Sequence, residues 1–280
     1  MQVQKSAGSV FMGGPLAAEK TLKRTNRDLA KILEQLSTGT SINRASDDAA
    51  GLGISEHLRS NIRGFKVASQ NITDAMSALN IADGAANETT NILQRQRELA
   101  TQARNDTLTD KDRKALDSEY QQLSKEIDRL AGATKFNNQD VVSGSGLASG
   151  TSVIQTGAAA GDQVTLPQID LKASSLGITE SSIATQSNAS EALSALDDAL
   201  KSISNQRSTV GATINRLESS VDNLSVAMVN TQAADSVLRD EDMAVGLSEL
   251  TRAKLIQEGS VVAFARFNDI NKSYVSALME

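Results

Sequence analysis

The sequence has no cysteine and no tryptophan, and only 2% of its 280 residues are aromatic. Without cysteine the chain cannot form a disulfide, a thiolate nucleophile or a cysteine-ligated metal site. Its single histidine, His57, cannot supply the paired histidines of a helical zinc site. With so few aromatic residues, the core has to be built from Leu, Ile, Val and Ala, which favours slender helix-on-helix packing.

Charge and hydropathy exclude further classes of protein. The formal net charge is -6 and the pI is about 5.0, which argues against a nucleic-acid partner because phosphate binding needs a basic surface. No apolar run approaches the roughly 20 residues of a membrane span. The N-terminal residues lack an apolar segment followed by a cleavage site, so any export is expected to use a route other than the ordinary secretory one.

Two long stretches carry an apolar heptad repeat. In the first, every seventh residue over 58–100 is apolar, and the positions three residues further on are mostly small. The second runs over 196–245, with Arg207 and Asp235 as polar interruptions. Each stretch has one apolar stripe and the two are similar in length, so we expect a long antiparallel helical rod, or coiled coil, within one chain.

Between the two heptads the pattern predicts a shorter helix and then a β region. The helix is expected to begin at the capping residue Thr109 and to end near Gly132. Glycine- and serine-rich turns follow over 137–190, with short strand-like runs at 152–156 and 163–166. This composition predicts a small β region with one or two hairpins, in a fold that is otherwise mainly α.

Both chain ends carry apolar residues at helical spacing with no evident partner. Lone amphipathic helices are only marginally ordered in water, so these ends are expected to pair with each other, with other subunits, or with both. Gly13-Gly14-Pro15 is expected to interrupt the first helix. We predict a terminal assembly domain of residues 1–42 and 243–280 and a rod domain of residues 43–242. The residues expected to be buried on assembly are Leu22, Leu29, Leu33, Leu36, Leu250, Val261, Phe264 and Leu278.

The polar stretch LSTGTSINRASDDAAGLGIS, which begins at Leu36, looks at first like a reactive loop. Asp47 and Asp48 cannot act as a catalytic pair, because adjacent residues at a helix start point about 100° apart. A connector accounts better for these residues: Gly39 ends one helix, and Ser46 caps the next. Asp47 and Asp48 are then expected to lie in its first turn, against the positive end of the helix dipole.

Several motifs resemble those of bacterial flagellins. LEQLSTGTSINRASDDAAGLGISEHLRSNI is similar to the N-terminal flagellin signature, and the likeness continues in ILQRQRELATQARNDTLT and EIDRLAGATKFNNQDVV. It returns in RSTVGATINRLESSVDNL and ADSVLRDEDMAVGLSELTRAKLIQEGS. The resemblance covers nearly all of residues 20–265 and implies a short form that lacks the large outer domains of longer flagellins.

The resemblance implies a structural subunit that polymerises into the extracellular flagellar filament used for swimming, with paired terminal helices building its inner tube. It also implies export without a cleaved signal, a flagellin chaperone, contacts with hook-associated and cap proteins, no cofactor and no enzymatic activity. Recognition by the vertebrate Toll-like flagellin receptor would map to Arg95, Leu99 and Glu119. Leu99 follows Arg95 by one helical turn and could share its face, or it could pack under the 110–130 helix.

Three other functions remain open at this point. A hook–filament junction protein shares terminal helices with flagellins, and a non-flagellar signalling coiled coil would also show long heptads. An enzyme is the remaining alternative, because some flagellins carry a metalloprotease in their variable region. This sequence has no H-E-x-x-H motif.

Overall fold

The computed structural model describes the backbone of residues 3–279 and the side chains of residues 17, 19–270, 272 and 273. Helices dominate this part of the chain, and four short strands form two separate two-stranded antiparallel sheets. The predicted mainly α fold with a small β region is confirmed. The elements are α1 Val3–Thr38, α2 Ala49–Ala103, α3 Asp110–Ala133, β1 Lys135–Phe136, β2 Gln139–Asp140, β3 Val153–Gln155, β4 Gln163–Thr165, α4 Gln186–Arg239 and α5 Met243–Met279.

The chain divides into two compact units. The central unit contains residues 61–230, and the terminal unit contains residues 1–60 and 231–280. The long helices α2 and α4 contribute residues to both units. The proposed division into an assembly domain and a rod domain at residues 42 and 243 stays a prediction.

The central unit is built on the two heptad stripes. The seam residues of α2 and α4 within it are buried or half-buried, and they belong to one hydrophobic cluster. The two helices run antiparallel, because Asp83 pairs with Arg207 at 2.8 Å while Arg97, further along α2, pairs with the earlier Asp197 at 2.9 Å. Arg207 therefore interrupts the apolar repeat in order to form an ion pair between the helices.

Helix α3 begins and packs much as its sequence predicts. Thr109 and Asp112 form a reciprocal capping box at its N-terminus. Across its buried face, Gln96 Nε2 of α2 donates to the Tyr120 carbonyl oxygen at 3.1 Å and to Ser124 Oγ at 2.7 Å. These bonds hold α3 against α2 at a defined register.

The predicted hairpin of the β region is confirmed, and a second one precedes it. In β3 and β4, Ile154 lies opposite Val164. The additional hairpin, β1–β2, overlaps the start of the β region predicted at 137–190. Its two-residue turn is Asn137-Asn138, with φ of 48° and 62°, and Asn is the non-glycine residue best suited to that conformation.

The terminal unit is built around an antiparallel pair of helices, α1 and α5, and also contains the start of α2 and the end of α4. The inward positions of each alternate by three and four residues, as in a coiled coil, and the Gln257 amide of α5 donates to Asn26 Oδ1 of α1 at 2.8 Å. Pairing of the two ends with each other is thus confirmed. The buried or half-buried positions along this seam are Leu22, Thr25, Leu29, Ile32 and Leu36 on α1, and Gly246, Leu250, Ala253, Gln257, Ser260, Phe264 and Phe267 on α5.

Two expectations about helix boundaries were wrong. Helix α1 runs without a break through Gly13-Gly14-Pro15, since a proline removes only one main-chain hydrogen bond and the bonds on either side maintain the helix. The predicted second heptad continues to Val245, but α4 ends at Arg239. Val245 lies on α5, and 53% of its surface is exposed. The break arises because residues 239–241 make main-chain contacts with residues 39–41.

Candidate assembly surface

Two connectors of the terminal unit meet at one end of the α1–α5 pair. Thr40 and Asp240 form an antiparallel bridge. Beside it the Ser41 N–H donates to the Arg239 carbonyl at 2.7 Å, and the Glu241 N–H donates to the Gly39 carbonyl at 3.0 Å. The α1–α2 connector and the α4–α5 connector therefore hold each other within a single subunit.

The start of α2 is capped by Asp48 rather than by Ser46. Asp48 Oδ1 accepts hydrogen bonds from the N–H groups of Ala50 and Gly51, each at 3.0 Å, which is the geometry of an N-cap. The prediction for Ser46 was wrong because α2 begins at Ala49, so Ser46 lies too early to reach the free N–H groups. A Cβ at position 51 would lie 2.4 Å from Asp48 Oδ2, so a larger residue than Gly51 would displace the capping carboxylate.

Asp47 also lies before α2 and not in its first turn. Its carboxylate accepts from the Arg44 N–H at 3.0 Å and pairs with Lys31 Nζ of α1 at 3.0 Å. The hydrogen bond from Lys31, followed by that from the Arg44 backbone, lowers the pKa of Asp47 below its ordinary value of 3.8. Asp47 thus ties the connector to α1 while Asp48 starts α2.

Seven of the eight predicted assembly residues have described side chains, and these seven divide into two groups. Leu22, Leu29, Leu36, Leu250 and Phe264 are half-buried on the seam between α1 and α5, whereas Leu33 and Val261 keep 46% and 50% of their surface exposed. The side chain of Leu278 lies outside the described residues. The first group therefore holds the helix pair together, and only the second group is free to contact a neighbour.

Much of the exposed apolar surface lies on other residues of the terminal unit. These side chains are distributed around α5, on faces that α1 does not cover, and a helix that is apolar all round normally becomes buried. The 3.6-residue period could have revealed them, because α5 has apolar residues outside its inward stripe. On α5, those with 44% or more of their surface exposed are Met243, Val245, Leu247, Leu255, Ile256, Val262 and Ile270. Ile54 of α2 and Val237 of α4 are also exposed in this unit.

The three residues assigned to receptor recognition do not share a surface. Arg95 Nη2 pairs with Glu119 Oε1 at 2.8 Å across α2 and α3, and this hydrogen bond, with a second one to Glu98, raises the pKa of Arg95. Leu99 is only 1% exposed and belongs to the core cluster. The expectation that Leu99 faces a partner was therefore wrong, because its side chain is buried in the core.

Two other kinds of feature, a metal-binding cluster and a membrane-spanning helix, are absent from the described residues. No cluster of three or more His, Asp or Glu side chains there could hold a metal ion. Among the helices of that same part of the chain, none is long and apolar enough to cross a membrane.

Comparison with known proteins decides the family. The model of the bacterial flagellin N-terminal helical region matches residues 15–146, and that of the C-terminal helical region matches residues 193–278. The chain belongs to the bacterial flagellin family. The family resemblance predicted from its motifs is thereby confirmed, and only residues 147–192 of this flagellin lie between the two matched regions.

Individual relatives match this flagellin over most of its length. It is 42% identical to a flagellin of Halalkalibacterium halodurans, over 85% of this chain and 87% of the relative. It is 35% identical to the flagellar filament 31.3 kDa core protein of Treponema maltophilum, over 93% and 96% of the two chains. A solved structure named for a flagellar hook-associated protein of Vibrio parahaemolyticus covers 69% of this chain and 99% of its own, with a TM-score of 0.56 and 16% identity, and so shows a shared fold alone.

Proposed function

We propose that this chain is a structural subunit that polymerises into the bacterial flagellar filament used for swimming. The observation that carries this function is the incomplete burial of the terminal unit, where eleven large apolar side chains among those described remain exposed in the single chain. Burying a large aliphatic side chain contributes about 1.5–3 kcal/mol, so neighbours that cover this surface would be strongly bound. The names of the relatives, flagellin and flagellar filament core protein, agree with such a role.

The assembly surface in this proposal is the uncovered part of α5 together with Leu33 of α1. Contacts between this surface and a different surface of the next subunit are head-to-tail, and head-to-tail contacts produce an open helical polymer when their rotation does not close into a ring. Leu255 and Val262, at 64% and 61% exposure, lie one heptad apart on the same face of α5 and are central to this surface.

Truncation and substitution test the proposal at two levels. Deleting residues 1–20 and 261–280 should leave a helical protein that no longer forms filaments in negative-stain electron microscopy. The milder variant Leu255→Ser/Val262→Ser should fold normally by circular dichroism and polymerise poorly. Its matched control, Val67→Ser/Ile81→Ser, changes two exposed apolar residues of the central unit and should polymerise like the wild type.

Two results would contradict the proposal, one from each experiment. Normal filaments from the truncated chain would show that the terminal helices are not the assembly element. An equal loss of polymerisation in both serine variants would show that α5 has no special role.

Location and partners follow from the same proposal. We expect the chain to be extracellular, in the flagellum, and to reach it through the flagellar export apparatus without a cleaved signal peptide. A flagellin chaperone would cover the apolar α5 before export, and hook-associated and cap proteins would contact the ends of the filament. If the chaperone uses α5, Leu255→Ser/Val262→Ser should reduce its binding in a pull-down assay, whereas Val67→Ser/Ile81→Ser should not.

Recognition by a vertebrate Toll-like flagellin receptor remains a proposal for Arg95 and Glu119, which are both about half-exposed. Glu119→Lys should lower receptor signalling in a cell reporter assay if this pair is contacted. Unchanged signalling would remove the pair from the receptor surface.

The filament subunit is favoured over the two alternative assemblies. The hook-associated structure shares only 16% identity, whereas the two relatives at 42% and 35% identity carry flagellin or filament names. A signalling coiled coil would not need the hairpins at 135–140 and 153–165. We propose a structural role and no catalytic one.

A further inference from the structure

Three lysines form a narrow stripe along the outward face of α3. Lys111, Lys114 and Lys125 are all exposed, and at about 100° per residue they fall within roughly 60° of arc. The stripe is about 21 Å long at 1.5 Å per residue. It lies opposite Tyr120 and Ile127, which are buried against the core. We name this surface the lysine stripe.

The charges of the lysine stripe are not used within the subunit. Among the described residues, no carboxylate lies within ion-pair distance of Lys111, Lys114 or Lys125. The two arginines of the same helix behave differently, since Arg113 pairs with Asp110 and Arg129 pairs with Glu126. The lysine stripe therefore carries three positive charges that no ion pair within the described residues neutralises, on a chain whose net charge is -6.

A surface of opposite charge lies on α4. Glu218 and Asp222 are exposed one turn apart on the face of α4 that points away from the buried Leu217 and Leu224. Within the described residues, neither carboxylate has an ion-pair partner. We name this pair the acidic stripe of α4.

We infer that the lysine stripe of α3 docks on the acidic stripe of α4 in a second copy of this chain. Lys111 and Lys114 are separated by one helical turn, as Glu218 and Asp222 are, so two ion pairs can form between two helices laid side by side. The inference rests on the proposed filament function, and it names one lateral contact of the central unit in addition to the assembly surface of the terminal unit.

The charge pattern also determines the type of contact. A symmetric contact would place lysine stripe against lysine stripe or carboxylates against carboxylates, and both arrangements are repulsive. A contact that joins two different surfaces is attractive and leaves one free stripe of each sign at the ends of the assembly. Such a heterologous contact can repeat from subunit to subunit, and it builds a filament where its rotation does not close into a ring.

Charge reversal and charge exchange test the inference with the full-length chain. Lys111→Glu/Lys114→Glu should raise the protein concentration needed for polymerisation by about tenfold or more, because two attractions per contact become repulsions. Glu218→Lys/Asp222→Lys should have a similar effect by itself. Combining all four substitutions restores opposite charges across the contact and should bring that concentration back toward the wild-type value.

The matched control is Lys66→Glu/Arg104→Glu, which changes the net charge equally at exposed cations of the same unit that lie outside the lysine stripe. It should polymerise like the wild type. Normal polymerisation of Lys111→Glu/Lys114→Glu, or an equal defect in the control, would overturn the inference. Failure of the fourfold variant to recover would overturn α4 as the partner. Failure of the wild-type chain to polymerise would instead contradict the proposed function.

Discussion

The central and terminal units contain the same kinds of apolar residue but bury them to different extents. In the central unit, buried apolar side chains from α2, α3, β4, α4 and the connecting loops form one cluster. In the terminal unit only Ile42 and Ala253 are buried apolar side chains among those described, whereas eleven of the sixteen exposed large apolar residues lie there. The difference arises because two helices can cover only one face of each other, while a third helix and the β region supply the further cover in the central unit.

This contrast indicates which part of the molecule is complete as a monomer. A buried cluster of leucine, isoleucine and alanine stabilises the central unit without a partner. The α1–α5 seam contains Gly246, Ser260 and Gln257, which bury little apolar area. The terminal unit therefore holds its two helices in register and leaves most of its apolar surface for other copies.

The largest expected effect is the difference in unfolding free energy between alanine variants of one leucine in each unit. Leu93 is fully buried, so Leu93→Ala should lower the free energy of unfolding of the monomer by about 2–5 kcal/mol. Leu255 is 64% exposed, so Leu255→Ala should change it by less than about 0.5 kcal/mol. Urea unfolding followed by circular dichroism measures both. Equal losses would contradict the contrast between the two units.

A smaller but still large effect is expected at Arg113, a buried cation of the central unit. Its Nε donates to the carbonyl of Ala103, the last residue of α2, at 2.9 Å, and its Nη2 donates to the Asn105 carbonyl at 3.0 Å. Arg113→Met should destabilise the monomer by about 2–4 kcal/mol, because both carbonyl groups lose their donor. In urea unfolding, the stability of Arg113→Lys should lie between that of Arg113→Met and that of the wild type, because lysine keeps the charge but lacks the planar guanidinium group.

The cap of α2 should contribute less. Asp48→Ala removes the acceptor for two N–H groups and should cost about 1 kcal/mol in thermal or urea unfolding, with Ser46→Ala as a nearly neutral control. If Ser46→Ala were the more destabilising variant, the assignment of the cap to Asp48 would be incorrect.

The smallest effect concerns the pH dependence of the connector. Because the pKa of Asp47 is lowered by Lys31, its contribution is present above its ordinary value of 3.8 and is lost as the pH falls through the lower folded-state value. Asp47→Asn should therefore reduce amide protection of residues 39–48 near neutral pH. The difference between variant and wild type should disappear well below pH 3.8, as followed by hydrogen exchange. A difference that persisted in strong acid would show that Asp47 acts through something other than its charge.

Prediction succeeded where a single helix decides the outcome. The α3 cap at Thr109, the end of α1 at Gly39 and the seam of α2 all follow from local periodicity and capping rules. Prediction failed where contacts with a distant segment determine a helix boundary. The exact start of α2 depended on which acceptor reached its free N–H groups, and the end of α4 depended on pairing between two connectors far apart in the chain.

By itself, the sequence determined the helical class, the two heptad stripes, the family and the presence of apolar ends. Only the tertiary structure decided that Leu99 is core, that Leu33 and Val261 are exposed while Leu250 is not, and that Arg113 binds the end of α2. The physical reason is that periodicity determines which side chains share a helix face. Which face is covered depends on the other helices packed against it, and one helix's sequence does not contain that information.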